Sequence, residues 1–193
     1  MNYFTADSHF SYSDNSVIIR DFRPFDSLEE MNKKIIEIWN SQVTSDDIIY
    51  HLGDFVNYNW GDSDYVPRLN FVKKINAKVV LILGNNEKRI MENDFAGNFK
   101  EFRKYLISCG FHDVFENELE MKIGKNNFRL VHCPADADKK RIYNLFAHIH
   151  KCAFVKKYGF NVGVDNHYFK LFSEDEILEL YTRLKFFDEN VYN

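Results

Sequence analysis

Ile48-Ile49-Tyr50-His51-Leu52-Gly53-Asp54 and Val79-Val80-Leu81-Ile82-Leu83-Gly84-Asn85 decide the fold. Each is a short apolar run, rich in β-branched residues, that stops at a glycine and hands over to a side chain able to ligate a metal. Runs apolar throughout read as strands buried on both faces. Three more segments repeat the arrangement. Tyr3-Phe4-Thr5-Ala6 leads into Asp7, Phe128-Arg129-Leu130-Val131 into His132, and Leu145-Phe146-Ala147 into His148. Because α/β sheets place ligands at the carboxyl ends of their strands, five segments distant in sequence can converge on one rim.

The residues delivered there are Asp7, His9, Asp54, Asn85, His132, His148 and His150. Carboxylates, imidazoles and one amide make a mixed oxygen and nitrogen set suited to Mn²⁺, Zn²⁺ or Fe, and it lacks the thiolates of a structural zinc site. Two metals about 3.5–4 Å apart need a bridging carboxylate, for which Asp54 is the candidate. Asp7 and His9, like His148 and His150, are two residues apart, so past a strand end one member of each pair can turn to each metal. A lone histidine is more often a satisfied core or surface residue, and Gly84-Asn85-Asn86 alone reads as a turn. The joint order and spacing point to a metal centre.

Between these segments the chain alternates strand and helix. Ser27-Leu28-Glu29-Glu30 is a capping box opening a helix with Met31, Ile35, Ile38 and Trp39 on one face, up to about Gln42. Helices are predicted over Tyr65–Ile75, with Val66, Leu69 and Val72 inward, and over Phe95–Ser108. Leu119–Ile123 reads as a strand turning at Gly124 into the strand that reaches His132. Ser173-Glu174-Asp175-Glu176 opens the last helix, with Ile177, Leu180 and Leu184 inward.

In this order the motifs D-x-H, G-D, G-N-x-E, H and H-x-H resemble those of the calcineurin-like metallophosphoesterase family, and the likeness runs along nearly the whole chain. Arg23-Pro24-Phe25 and Asn161-Val162-Gly163-Val164-Asp165 look like its small single-domain bacterial and phage branch. The resemblance implies an α/β four-layer sandwich of two mixed β-sheets flanked by helices, formed by one domain over residues 1–193. It implies a first metal held by Asp7, His9, Asp54 and His150, and a second by Asp54, Asn85, His132 and His148. Mn²⁺ is the expected ion, with Zn, Fe and Ni as alternatives.

This sequence departs from the family pattern at three places. Ala147 stands where the family has glycine, a change that fits if the backbone there keeps φ negative. Ser11-Tyr12 replaces a Gly-His. Asn86 replaces the histidine expected to hold the phosphoryl group and protonate the leaving oxygen; an amide can donate to a phosphate oxygen but cannot deliver a proton. His51, His112, His167, Lys88 and Arg89 are candidate substitute acids. Arg23 is a candidate contact for phosphate, since a guanidinium suits bidentate anion binding, or else the partner of a carboxylate. Glu87 is either an orienting acceptor or a solvated loop carboxylate.

The expected function is a dinuclear metal-dependent phosphodiesterase acting on a small phosphate ester such as a cyclic nucleotide or nucleotide derivative, with Asp54 and Asn86 catalytic and Arg23 and Asn86 on the substrate. The alternative is a weak or inactive member that sequesters a nucleotide or partner. With 193 residues, 45% hydrophobic and 17% aromatic, the chain can bury one substantial core. No apolar run approaches the roughly 20 residues that cross a bilayer. Three cysteines with no CxxC pair suit a reducing cytoplasm. The net charge of −4 argues against a duplex nucleic-acid surface, Lys139-Lys140-Arg141 being the densest basic cluster. A homodimer is left open.

Overall fold

The computed structural model describes residues 1–11, 23–58, 65–140 and 143–184. Strands β1 (Asn2–Thr5), β2 (Ile48–His51), β3 (Lys78–Ile82) and β4 (Asp113–Phe115) run parallel, and the short β10 (Phe172–Ser173) pairs antiparallel with β1, giving the order β10-β1-β2-β3-β4. A second sheet, in the order β5-β6-β7-β9-β8, combines the hairpin of β5 (Glu118–Ile123) and β6 (Asn126–Val131) with β7 (Asn144–Phe146), β8 (Val155–Lys156) and β9 (Gly159–Asn161). Within it β6, β7 and β9 are parallel and β8 is antiparallel to β9. Both sheets are mixed, as expected.

Two-residue alternation explains how the sheets stack. Phe4, Ala6, Leu52 and Ile82 of the first sheet face Phe128, Leu130, Leu145, Ala147 and Phe160 of the second, forming the core between the sheets. Ile49, Val79, Leu81 and Leu83 point the other way, into a core shared with the helices. Those helices are α1 (Leu28–Asn40), α2 (Tyr65–Leu69), α3 (Asn85–Asp94) and α4 (Phe99–Cys109). The central sheet is therefore buried on both faces, which is why its strands carry no polar alternation. The last helix, α5 (Glu174–Leu184), sends Ile177 and Tyr181 into the core between the sheets.

The caps form largely as read. Ser27 Oγ accepts from Glu30 N at 3.1 Å, while Glu30 reaches back to Asp26 N rather than to Ser27. At α5, Ser173 Oγ accepts from Glu176 N and Ser173 N donates to Glu176 Oε2, the full reciprocal box. Met31, Ile35 and Trp39 are wholly buried on α1. Two helices differ from expectation. Tyr65–Ile75 divides into α2 and a 3-10 turn over Asn70–Lys74, and Val66 is 42% exposed while Leu69 and Val72 are buried. The Phe95–Ser108 prediction merges two elements: Phe95 caps the end of α3, Ala96 and Gly97 turn with positive φ, and α4 starts only at Phe99. Ile177 is buried and Leu180 partly so, and the side chain of Leu184 lies outside the described residues.

The two sheets are joined at one end. Ala6 forms a parallel bridge with Gly163, with Val164 N donating to Ala6 O at 3.0 Å; within the second sheet Ala147 N donates to His132 O at 2.9 Å. This end collects the carboxyl termini of β1, β2, β3, β6, β7 and β9.

Candidate metal centre

At the joined end the ligand-type side chains fall into two groups. Asp7, His9 and His150 form one and Asp54, His132 and His148 the other, with the ligand atoms of each group within 4.8 Å of one another. Backbone geometry makes this clustering possible. Asp7 (φ 58°), His9 (φ 51°), Asp54 (φ 53°), His148 (φ 73°) and His150 (φ 46°) all adopt the left-handed region. Each turns the chain sharply at a strand end and swings its side chain onto the rim. Aspartate and histidine tolerate that region better than most residues, yet it still costs about 1–2 kcal/mol each. Ala147, in the family's glycine position, is not among the positive-φ residues, so its methyl group is accommodated without strain.

Asp54 divides its two oxygens. Oδ1 accepts from Asn86 N at 2.9 Å at the first turn of α3, a negative charge placed at a helix N-terminus. Oδ2 lies 3.8 Å from His9 Nε2 and 3.6 Å from His132 Nε2, one nitrogen from each group. Both nitrogens are buried without a hydrogen-bond partner. Buried polar atoms are nearly always satisfied, so two orphaned imidazole nitrogens facing one carboxylate oxygen fit an arrangement built to take cations. The Nδ1 atoms of these rings and of His150 are spoken for. His132 Nδ1 is 2.7 Å from Leu52 O, His150 Nδ1 is 2.7 Å from Asp165 Oδ2, and His9 Nδ1 is 3.3 Å from the Asn86 amide. Such outer contacts fix the tautomer and ring orientation of a ligating histidine. The Asn85 amide is 3.3 Å from His148 Nδ1, which brings it to the second group.

Electrostatics agree with this reading. Burial, followed by the neighbouring Arg23, drives His9 well below the ordinary histidine range, and burial lowers His132 and His148 as well. Neutral imidazole is the ligating form. Burial raises Asp7 to about 7 against the opposing charge of His150, and the amide of His148 donates to its Oδ2 at 3.0 Å. Burial lowers His150, but its hydrogen bond to Asp165 and the charge of Asp7 outweigh that and the net shift is upward.

Glycines set how closely the segments approach. A Cβ on Gly84 would stand 2.3 Å from both the amide and the carboxylate of Asp54, and one on Gly163 would meet Asp7 Oδ2 at 2.7 Å. Glu87 ties the same segments together and is not a solvated loop carboxylate. Wholly buried, it accepts from Asp54 N, Phe55 N, Val56 N and Gly84 N. Burial and Asp54 push its carboxyl up to about 8, while the amides pull it down. All four donors need an oxygen lone pair, and a protonated carboxyl would set its O–H against one of them. Glu87→Gln would aim an NH₂ group at two N–H donors, and we expect it to lower stability by about 3 kcal/mol in urea denaturation at pH 7. A loss under about 1 kcal/mol would show the group to be protonated already.

Two expected substrate contacts are redirected. Arg23, a candidate contact for phosphate or for a carboxylate, has a fully buried side chain that bonds Asp165 and the carbonyl oxygens of Asp7 and Ser8, so the structure gives it the second role. Asn86, 6% exposed, turns its amide onto His9 rather than toward the open rim. His51 is removed from the list of acids, being wholly buried against Ser8 Oγ at 3.0 Å. Burial takes it from 6.5 to about 3, so the fold holds it neutral. Because the unfolded chain binds the extra proton below about pH 6.5, stability should fall by about 1.4 kcal/mol per pH unit as the pH drops from 6.5 towards 3 on account of His51. Thermal unfolding across that window should show a shallower slope in His51→Gln; an equal slope would assign the acid lability elsewhere. His167 stacks on Phe172 at 4.0 Å and lies 3.3 Å from Glu176, and Lys88 binds Asn117. His112 and Arg89 are exposed. Tyr12 and Arg141 lie outside the described residues.

A two-sheet α/β sandwich carrying paired Asp and His triads where the sheets meet has the form of a metal-dependent phosphoric ester hydrolase. The calcineurin-like phosphoesterase family model matches residues 3–188, and the chain belongs to that family. An uncharacterised protein of Methanocaldococcus jannaschii is 34% identical over 86 residues, which are 45% of this chain and 46% of that protein, so the match spans less than half of either. A crystal structure of a protein of unknown function from Aquifex aeolicus has the same fold, with a TM-score of 0.63 at 20% identity, covering 93% of this chain and 98% of that one. A structure of an archaeal phosphodiesterase aligns with a TM-score of 0.44 at 16% identity, covering 84% of this chain and 81% of that one.

Proposed function

We propose that the protein is a dinuclear metal-dependent phosphodiesterase, a single domain over residues 1–193, acting on a small phosphate ester such as a cyclic nucleotide or nucleotide derivative. The observation that carries this is Asp54 Oδ2 standing between the orphaned His9 Nε2 and His132 Nε2. In this reading Asp7, His9, Asp54 and His150 hold one divalent ion, Mn²⁺ in the first instance, and Asp54, Asn85, His132 and His148 hold the other. When bound, such a pair lowers the pKa of water and stabilises charge on phosphoryl oxygens. The protein's own part is to fix the ligands. Asp54 links the two groups while its Oδ1 is anchored on Asn86 N, Glu87 clamps the Asp54–Val56 and Gly84 backbones, and Asn86 orients His9. Asn86 Nδ2 lies 3.3 Å from His9 Nδ1; with the side-chain amide turned end for end, its oxygen would accept from Nδ1–H and Nε2 would keep its lone pair for a metal. Asn86 is then a positioning residue and holds no proton to give the leaving oxygen.

That absence favours a second reading, a member that binds a nucleotide or partner with little or no turnover. Metal-stripped protein with Mn²⁺ added back, offered bis-p-nitrophenyl phosphate and p-nitrophenyl phosphate, separates the two. Metal-dependent turnover with the diester preferred supports the phosphodiesterase; two bound ions with no turnover on either ester supports the binder. The three cysteines are free, which suits the cytoplasm as its location. Among the described residues no helix is long and apolar enough to cross a membrane.

A further inference from the structure

Behind the first triad lies a buried ion pair that the family's ligand motifs do not include. Asp165, its side chain 2% exposed, accepts from Arg23 Nε at 2.9 Å through Oδ1. Its Oδ2 accepts from Arg23 Nη2 at 3.1 Å and faces His150 Nδ1 at 2.7 Å. The guanidinium does not stop there. Nη1 donates to Ser8 O at 2.9 Å and Nη2 donates also to Asp7 O, so one planar group fixes the backbone of the Asp7-Ser8-His9 turn and the carboxylate on His150. Phe169 lies beneath it, with its ring centroid 5.6 Å from the guanidinium carbon. All three members of the first triad, Asp7, His9 and His150, have positive φ, and all three are reached through this pair.

The second triad is held differently. His132 Nδ1 rests on the carbonyl of Leu52, and Asp54 is anchored by Asn86 N and by Glu87. Resting on the two-metal reading above, we infer that Arg23 and Asp165 are positioning residues for the first metal alone. Asp165 holds His150 in the tautomer with Nδ1–H, which leaves Nε2 free to ligate and makes it more basic. Arg23 neutralises Asp165 and locks the turn that presents Asp7 and His9. Loss of such an outer carboxylate typically weakens metal binding by roughly 10–100-fold.

The test is calorimetric titration of metal-stripped protein with Mn²⁺, followed by electron paramagnetic resonance of the loaded protein. Wild type should bind two ions and give the signal of an exchange-coupled pair. Asp165→Asn should bind one ion within about threefold of wild type and the other roughly 10–100-fold more weakly, giving a mononuclear signal at metal concentrations that fill both sites in wild type. The double variant Arg23→Gln with Asp165→Asn, which removes both charges at similar volume, should behave alike, and it serves if the single variant does not fold. Two unchanged sites, or two sites weakened equally, would overturn the inference. A wild type that binds fewer than two ions would overturn the dinuclear reading itself and this inference with it.

Discussion

Asp54→Ala should lower Mn²⁺-dependent hydrolysis of bis-p-nitrophenyl phosphate by about 10³-fold or more, the scale of the several kcal/mol of charge stabilisation that a metal pair contributes. Asp54 faces both triads. His9 Nε2 and His132 Nε2 approach its Oδ2 from opposite groups at 3.8 and 3.6 Å, while Oδ1 is held by Asn86 N. Alanine would remove the link between the groups and leave the α3 N-terminus without its acceptor. It would also leave a non-glycine residue at φ 53° with no carboxylate to compensate. Asp54→Asn is the cleaner companion, since asparagine tolerates that conformation and can still accept from Asn86 N. Both variants should lose activity, with Asn closer to wild type in thermal unfolding. Retention of activity within tenfold in both would sink the assignment of Asp54.

Asn86→His should change how the rate depends on the leaving group. In the wild type the amide is turned onto His9, so no proton is delivered at this position and the rate should fall steeply across a series of aryl and alkyl phosphodiesters as the leaving-group pKa rises. Imidazole restores an acid near its working pKa, and a positioned acid is typically worth roughly 10²–10⁴-fold. The gain should appear on poor leaving groups and be small on nitrophenyl esters, whose departing oxygen needs little help. The slope of log kcat/KM against leaving-group pKa measures this. A uniform change along the series would mean that residue 86 acts only through His9, and a variant with no gain on any ester would place the acid elsewhere.

The apolar runs that end in Asp7, Asp54, Asn85, His132 and His148 carried most of the fold, because strands buried on both faces must be apolar throughout and ligands gather where such strands stop. Less legible was everything that depends on residues meeting across the fold. Arg23 and Asp165 are 142 positions apart, and no local pattern marks an arginine as the clamp of a distant carboxylate. Glu87 in Gly-Asn-Asn-Glu reads as a loop residue until Gly53–Val56 is seen lying over it. The same stretch concealed α3, which starts at the ligand itself; glycine and two asparagines signal a turn, and the helix is rescued by the capping Glu87 and the buried Ile90 and Met91. The sequence pattern also does not mark where the Tyr65–Ile75 helix changes to a 3-10 turn, nor that Val66 lies on its exposed side.

The left-handed backbone at Asp7, His9, Asp54, His148 and His150 has a bearing on attempts to engineer this protein. A design procedure that scores each position by conformational ease would single out these five residues and offer glycine at every one to relieve the backbone. The redesigned chain would lose five of the seven side chains proposed to bind metal. In this molecule the positions with the most backbone strain are the ones the proposed chemistry needs unchanged, so a hardier variant should be sought away from the rim, for instance at exposed Val66 or in the surface of α4.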